Sequence, residues 1–169
     1  MNKNVLHVYA IPEDEKDRQL ADGFCLHDSV DHRRIQVMPP VGGWRKVLQK
    51  FIDEYIQILR RYPVAHVVMI IDFDKHFESR RALFEKQIPA DLKTRVFVLG
   101  SRDEPETLKS ALKIGLEQIG RRLANDCDQG TSLVWDDEQL RHNDADRQRL
   151  NQTVKPFLFK PRTQTGNHD

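Results

Sequence analysis

Short apolar runs alternate with amphipathic stretches along most of the chain, and each change of period marks a change of element. Val5-Leu6-His7-Val8-Tyr9-Ala10-Ile11 is rich in β-formers and stops at Pro12, which predicts a buried strand. From Glu13 to Gly23 the pattern turns helical, with Glu13, Asp14 and Glu15 suited to a first turn and Gly23 to its close. Ile35-Gln36-Val37-Met38 predicts a second, short strand ended by Pro39-Pro40. Beyond Gly42-Gly43, the apolar positions Trp44, Val47, Leu48, Phe51, Ile52, Tyr55, Ile58 and Leu59 recur at three-and-four spacing. They predict a helix from Trp44 to Arg61.

Val64 to Ile71 is almost unbroken in apolar residues, the pattern of a central strand covered on both faces. A helix over Glu78–Gln87 and a strand over Arg95–Leu99 come next, then a long helix from Pro105 to about Ala124. Ser132–Trp135 reads as a short strand, Glu138–Thr153 as a helix and Pro156–Phe159 as a last strand. Strand alternating with helix predicts an α/β fold, a three-layer sandwich about a mostly parallel central sheet, in a single domain over residues 1–160. Residues 161–169 contain no apolar side chain and read as a disordered tail.

A chain of 169 residues suits one such domain with a sizeable core. Lys plus Arg total 27 against 26 Asp plus Glu, a net charge of +1, which argues against a strongly basic nucleic-acid coat protein and leaves local patches open. Two cysteines, Cys25 and Cys127, make no disulfide framework, so a reducing compartment is expected. No run is long enough for a membrane helix, and Met1-Asn2-Lys3-Asn4 leads into a strand rather than a signal peptide; the expectation is a cytoplasmic protein without membrane attachment.

Ligands of parallel α/β sheets gather beyond the carboxyl ends of the strands, which directs attention to the residues just past each strand. After the first come Glu13, Asp14, Glu15 and Asp17; after the central one Asp72 and Asp74; after the next Ser101, Asp103, Glu104 and Glu106. On an extended segment, residues two apart point the same way, so Asp72 and Asp74 are expected to face one site while Phe73 turns into the packing. Paired carboxylates at a rigid strand end repel unless a cation lies between them, and hard oxygen ligands favour Mg²⁺ or Mn²⁺.

Glu13-Asp14-Glu15-Lys16-Asp17-Arg18-Gln19-Leu20 after the first strand, with Asp72-Phe73-Asp74 after the central one, resembles the Toprim domain. That family carries a Glu after its first strand, often an Asp four residues on and a Leu three beyond, and an Asp-x-Asp after a later strand. The order of elements looks closest to small Toprim-like proteins related to OLD-family nucleases. The resemblance implies a Rossmann-like Toprim fold and a magnesium- or manganese-dependent site that cleaves phosphodiesters of DNA or RNA. Carried over, Asp72 and Asp74 ligate the metal, Glu13 is a further ligand or general acid/base, and Asp17 is a second-metal ligand. A later Glu and a Lys of OLD-type enzymes match Glu104 or Glu106, and Lys160. The resemblance also implies a protein partner such as an ATPase, which OLD-type enzymes usually carry.

A second resemblance, to response-regulator receiver domains, rests on Glu13-Asp14, Asp72, Ser101 and Lys160-Pro161 in that order. It implies a non-enzymatic module that binds a protein partner. Among other features, Cys25-x-His27 with His32 matches no common zinc spacing, and Gly42-Gly43 reads as a tight turn. Arg80-Arg81 lies close enough to the acids to hold a nucleic-acid backbone. Trp135-Asp136-Asp137 and His142-Asn143-Asp144 are densely polar and suggest no chemistry.

Overall fold

A computed structural model describes residues 1–161; the expected disordered tail lies, but for Pro161, outside the described residues. Four strands, β1 (His7–Pro12), β2 (Ile35–Val37), β3 (Ala65–Ile70) and β4 (Val96–Leu99), form one sheet in the order β2-β1-β3-β4. Every pairing is parallel, so the ends of β1, β3 and β4 share one edge. Alternation then fixes the two faces. Tyr9, Ile11, Val67, Met69, Val96 and Val98 pack under α2 (Trp44–Lys50), α3 (Ile56–Arg61) and α4 (Phe77–Gln87). Val8, Val68 and Phe97 pack under α1 (Glu15–Cys25), α5 (Pro105–Leu112), α6 (Leu116–Gln129), α7 (Asp144–Thr153) and α8 (Lys155–Leu158). The result is the three-layer α/β sandwich expected from the pattern, and no helix among the described residues is long and apolar enough to cross a membrane.

The helix expected over Trp44–Arg61 runs through a π-helical turn at Phe51–Tyr55, which keeps Phe51, Tyr55 and Leu59 on the buried side. Helices α1 and α6 cross so closely that a Cβ on Gly23 would lie 2.0 Å from the Glu117 carbonyl oxygen, and one on Gly120 the same distance from that of Leu20. Gly23 therefore closes a helix contact rather than the helix, which continues to Cys25.

Four elements differ from the pattern. The long helix expected from Pro105 breaks at Lys113, which is left-handed (φ 56°), before α6 restarts after Gly115. Ser132–Trp135 forms turns, because the buried Asp126 carboxylate accepts the N–H groups of Val134 and Trp135 that a strand would have paired. The helix expected from Glu138 begins only as a 3₁₀ turn at Arg141–Asn143 and becomes α7 at Asp144. Pro156–Leu158 lies in α8, with Pro156 at a helix start where its missing N–H costs nothing; Phe159, extended just beyond it, makes an isolated antiparallel bridge to Val30.

Among the described residues, no fifth strand covers β4. Its open edge is sealed by side chains of the polar segment instead. Asp146 accepts the Val98 N–H at 3.1 Å, Asn143 both accepts from Gly100 N and donates to Gly100 O, His142 donates to Gly100 O, and Arg149 reaches Val96 O. That is the role of His142 and Asn143, in a polar stretch to which the sequence pattern assigns no chemistry.

Candidate metal centre

Three carboxyl groups converge at the shared strand edge. Glu13 comes directly after β1, Asp17 lies in the first turn of α1, and Asp72 stands two residues past β3. An oxygen of each lies within 4.8 Å of the others. The backbone sets this geometry: Glu13 N donates to Ile70 O, extending the β1–β3 ladder, and the Glu13 carboxylate accepts the Asp72 N–H at 2.7 Å. Asp14 caps α1, accepting the N–H groups of Lys16 and Asp17, so the helix starts in register to turn Asp17 inward. On the neighbouring loop, the Ser101 hydroxyl faces an Asp72 oxygen at 3.5 Å.

Asp17 is the anomalous member. It is 0% exposed, and no N–H or hydroxyl donates to its carboxyl oxygens; only the Asp72 carboxyl is placed to share a proton with them. Burial pushes its carboxyl well above the usual range, and the charges of Asp72, Asp14 and Glu13 push the same way. Asp72 is pushed up to about 7, first by burial and then by Glu13 and Asp14. Burial also raises Glu13, against the Asp72 N–H that favours its charged form. Carboxyl groups so close titrate as one unit and share protons near neutral pH unless a cation replaces them. Glu13 remains half-buried, so the cluster opens to solvent on its side.

The other residues expected at this site stand elsewhere. Asp74 is not in the cluster. Its backbone is left-handed (φ 46°), which breaks the two-residue alternation, and its carboxylate pairs with Arg80 at 2.7 Å. Phe73 is fully buried, as alternation requires up to that point. Arg80 is itself buried; it also donates to the Asp72 carbonyl at 2.6 Å and stacks on Trp44, while Arg81 pairs with Asp146, so this Arg pair fastens the loop rather than facing solvent. Glu104 is exposed at the head of α5, outside the cluster, and Glu106 is ion-paired with Lys16. Lys160 lies at the opposite edge of the sheet. Its N–H donates to Ser29 O and its ammonium to Asp28 O, in the segment after the far end of α1. The order of acids and lysine along the chain carries no information about that separation.

Among the described residues, Glu13, Asp17 and Asp72 are the one group of three or more metal-ligating side chains brought together. Cys25, His27, His32 and Cys127 form no such group, and His27 pairs with Asn125 instead. Fold and site together define an α/β protein with an acidic cluster at the strand ends. No family model matches the chain, and no curated protein or solved structure proves similar to it.

Proposed function

We infer that the protein is a divalent-cation-dependent phosphodiesterase acting on nucleic acid, with Mg²⁺ or Mn²⁺ held by Glu13, Asp17 and Asp72. The observation that carries this reading is Asp17: a wholly buried carboxyl that receives no N–H or hydroxyl and faces only the carboxyls of Asp72 and Glu13. Native proteins leave few such groups unsatisfied, and a cation is the partner whose chemistry suits three hard oxygen ligands. When bound, such a cation orients a phosphate, lowers the pKa of a water and stabilises a leaving oxygen. Glu13, the most open ligand, is placed to take the proton of an attacking water. Ser101 holds the orientation of Asp72, and the Arg80 clamp on the Asp72 carbonyl and Asp74 fixes the loop that carries it.

Past the loop that carries Asp72, a hollow of about 420 Å³ is lined by Lys75, Phe77, Arg141 and His142, with Arg102 paired to Glu138 at 2.7 Å. Cationic side chains next to an aromatic ring suit a phosphate backbone and an unstacked base. This supports nucleic acid as the substrate class, in keeping with the Toprim resemblance. The direct test is cleavage of single-stranded and supercoiled DNA, and of RNA, with Mn²⁺ or Mg²⁺, by the parent and by Asp72→Asn. Cleavage lost in the variant supports the reading. Cation binding without cleavage of any of these substrates refutes it in favour of a non-enzymatic module for a protein partner, a reading that the neutralised Asp74 favours.

A further inference from the structure

The layer of α1, α6, α7 and α8 does not fill its face of the sheet. Between them lies a hollow of about 140 Å³ whose lining is almost wholly apolar. Ala10 on β1, Ala21 on α1 and Cys127 on α6 line it beside Val68, Leu123 and Leu158, so part of its volume comes from short side chains in a core layer. Protein interiors are otherwise packed like organic crystals, and a wall free to shift would close over such a space.

These walls are braced. Helices α1 and α6 are locked backbone against backbone at Gly23 and Gly120. Helix α7 is tied to the sheet and to α4 through Asp146, which accepts from Val98 N and Arg81, and the residue before it, Asn143, accepts from Gly100 N. The end of α8 is held by Asp31 N on Leu158 O and by Lys160 N on Ser29 O, both 2.7 Å. The hollow thus belongs to the fold and cannot collapse without breaking one of these ties. Polar residues of the lining are turned to other partners. Ser101 Oγ faces Asp72, the Asn143 amide donates to Gly100 O and Leu140 O, and the Arg147 Nη groups donate to Ser132 Oγ and Thr131 O. A trapped water needs two to four polar partners and a buried charge needs a counter-charge, and aliphatic walls offer neither.

We propose that this hollow is a binding site for a neutral apolar molecule of about six to eight heavy atoms, the size of benzene or toluene, held between the sheet and the helix layer by dispersion and by removal of its surface from water. Cavities of about 150 Å³ lined by aliphatic and aromatic side chains stay dry and take up such molecules. The site is separate from the acidic cluster and needs no cation, although Ser101 borders both.

The test is calorimetry and thermal melting of the full chain in chelator, so that the acidic cluster is silent. Benzene and toluene are the probes, with benzoate and benzylamine as charged analogues of the same size. One-to-one binding of toluene is the expected result, with a rise of about 3 °C or more in melting temperature at ten times its dissociation constant. The charged analogues should bind at least about tenfold more weakly, since the lining offers them no counter-charge. Cys127→Leu, which fills the hollow from α6, should weaken toluene binding at least about tenfold. Ala10→Val, which fills it from β1, should act in the same direction and serves if Cys127→Leu does not fold. No binding of benzene or toluene up to their solubility in water, benzoate or benzylamine binding as tightly as toluene, or undiminished binding in the filled variant would overturn the proposal.

Discussion

Two buried aspartates of this fold should answer the same substitution with opposite signs. Asp17 is 0% exposed and Asp146 1% exposed, so burial does not distinguish them. Asp146 accepts from Arg81, Arg149 and the Val98 N–H, whereas no N–H or hydroxyl donates to Asp17. At 4.8 Å, the limit of the oxygen separations around Asp17, each like-charge pair costs about 3 kcal/mol at an effective dielectric of about 20. Proton uptake relieves part of that repulsion, and an aspartate near the N-terminus of α1 returns about 0.5 kcal/mol through the helix dipole. Asp17→Asn should therefore stabilise the cation-free protein by about 2 kcal/mol near pH 8, a rise of roughly 4–8 °C in melting temperature for a chain of this size. It should also abolish the stabilisation produced by Mn²⁺ or Mg²⁺. Asp146→Asn leaves two guanidinium groups short of their counter-ion and should cost about 3 kcal/mol or more. Denaturant melts with and without cation measure both. If Asp17→Asn destabilises the cation-free protein and the response to cation survives, Asp17 is a structural residue and the metal centre falls.

The remaining expectations concern the same edge of the sheet and the helix layer. The Asp72 carboxyl, pushed up to about 7 from an ordinary value of 3.8, binds its proton more tightly in the folded state. Its stabilising contribution is thus full below about pH 4 and lost as pH rises through about 7. Cation-free parent should lose melting temperature relative to Asp72→Asn across that window and run parallel to it above pH 8; parallel curves throughout would count against a shared proton. Mn²⁺ binding near pH 6.5 should release protons, seen as a calorimetric enthalpy that depends on the buffer's ionisation enthalpy, and buffer-independent heats would contradict it. Lys75, left-handed at φ 64°, should gain about 1 kcal/mol on Lys75→Gly in denaturant melts, and a loss of stability would refute the strain at that position. Gly120→Ala should cost about 3 kcal/mol or more in the same melts, because the added Cβ meets backbone atoms of Leu20 and Phe24 rather than a side chain that can move.

The elements readable from the chain are those in which local pattern and burial agree. β1, β3 and β4 are apolar runs closed by turn residues, and their parallel order is set by the helices between them. Short apolar runs elsewhere are ambiguous, since Pro156-Phe157-Leu158-Phe159 has neither the length nor the alternation that separates strand from helix. The break between α5 and α6 escapes the pattern for a related reason. Leu112, Ile114 and Leu116 keep the apolar spacing going, and only the left-handed Lys113 ahead of Gly115 interrupts it.

The acidic site divides along the same line. Glu13, Asp17 and Asp72 are legible because the strand edge and the first helical turn have fixed directions, so spacing translates into geometry. Asp74 is misplaced by the same rule. Two-residue alternation presumes extended backbone, and at φ 46° the chain has left it, delivering the carboxylate to Arg80. Nothing local marks the long-range partners either. Asn143 and Asp146 read as solvent-facing polar residues until the fold sets them against the open edge of β4, and Arg147 reads as a helix-face cation until its Nε is found buried and unpaired. An aspartate satisfied by two arginines and an aspartate faced only by other carboxyls carry the same letter and nearly the same burial. Structure and chemistry separate here by which polar atoms have hydrogen-bond partners, and those partners meet only in three dimensions.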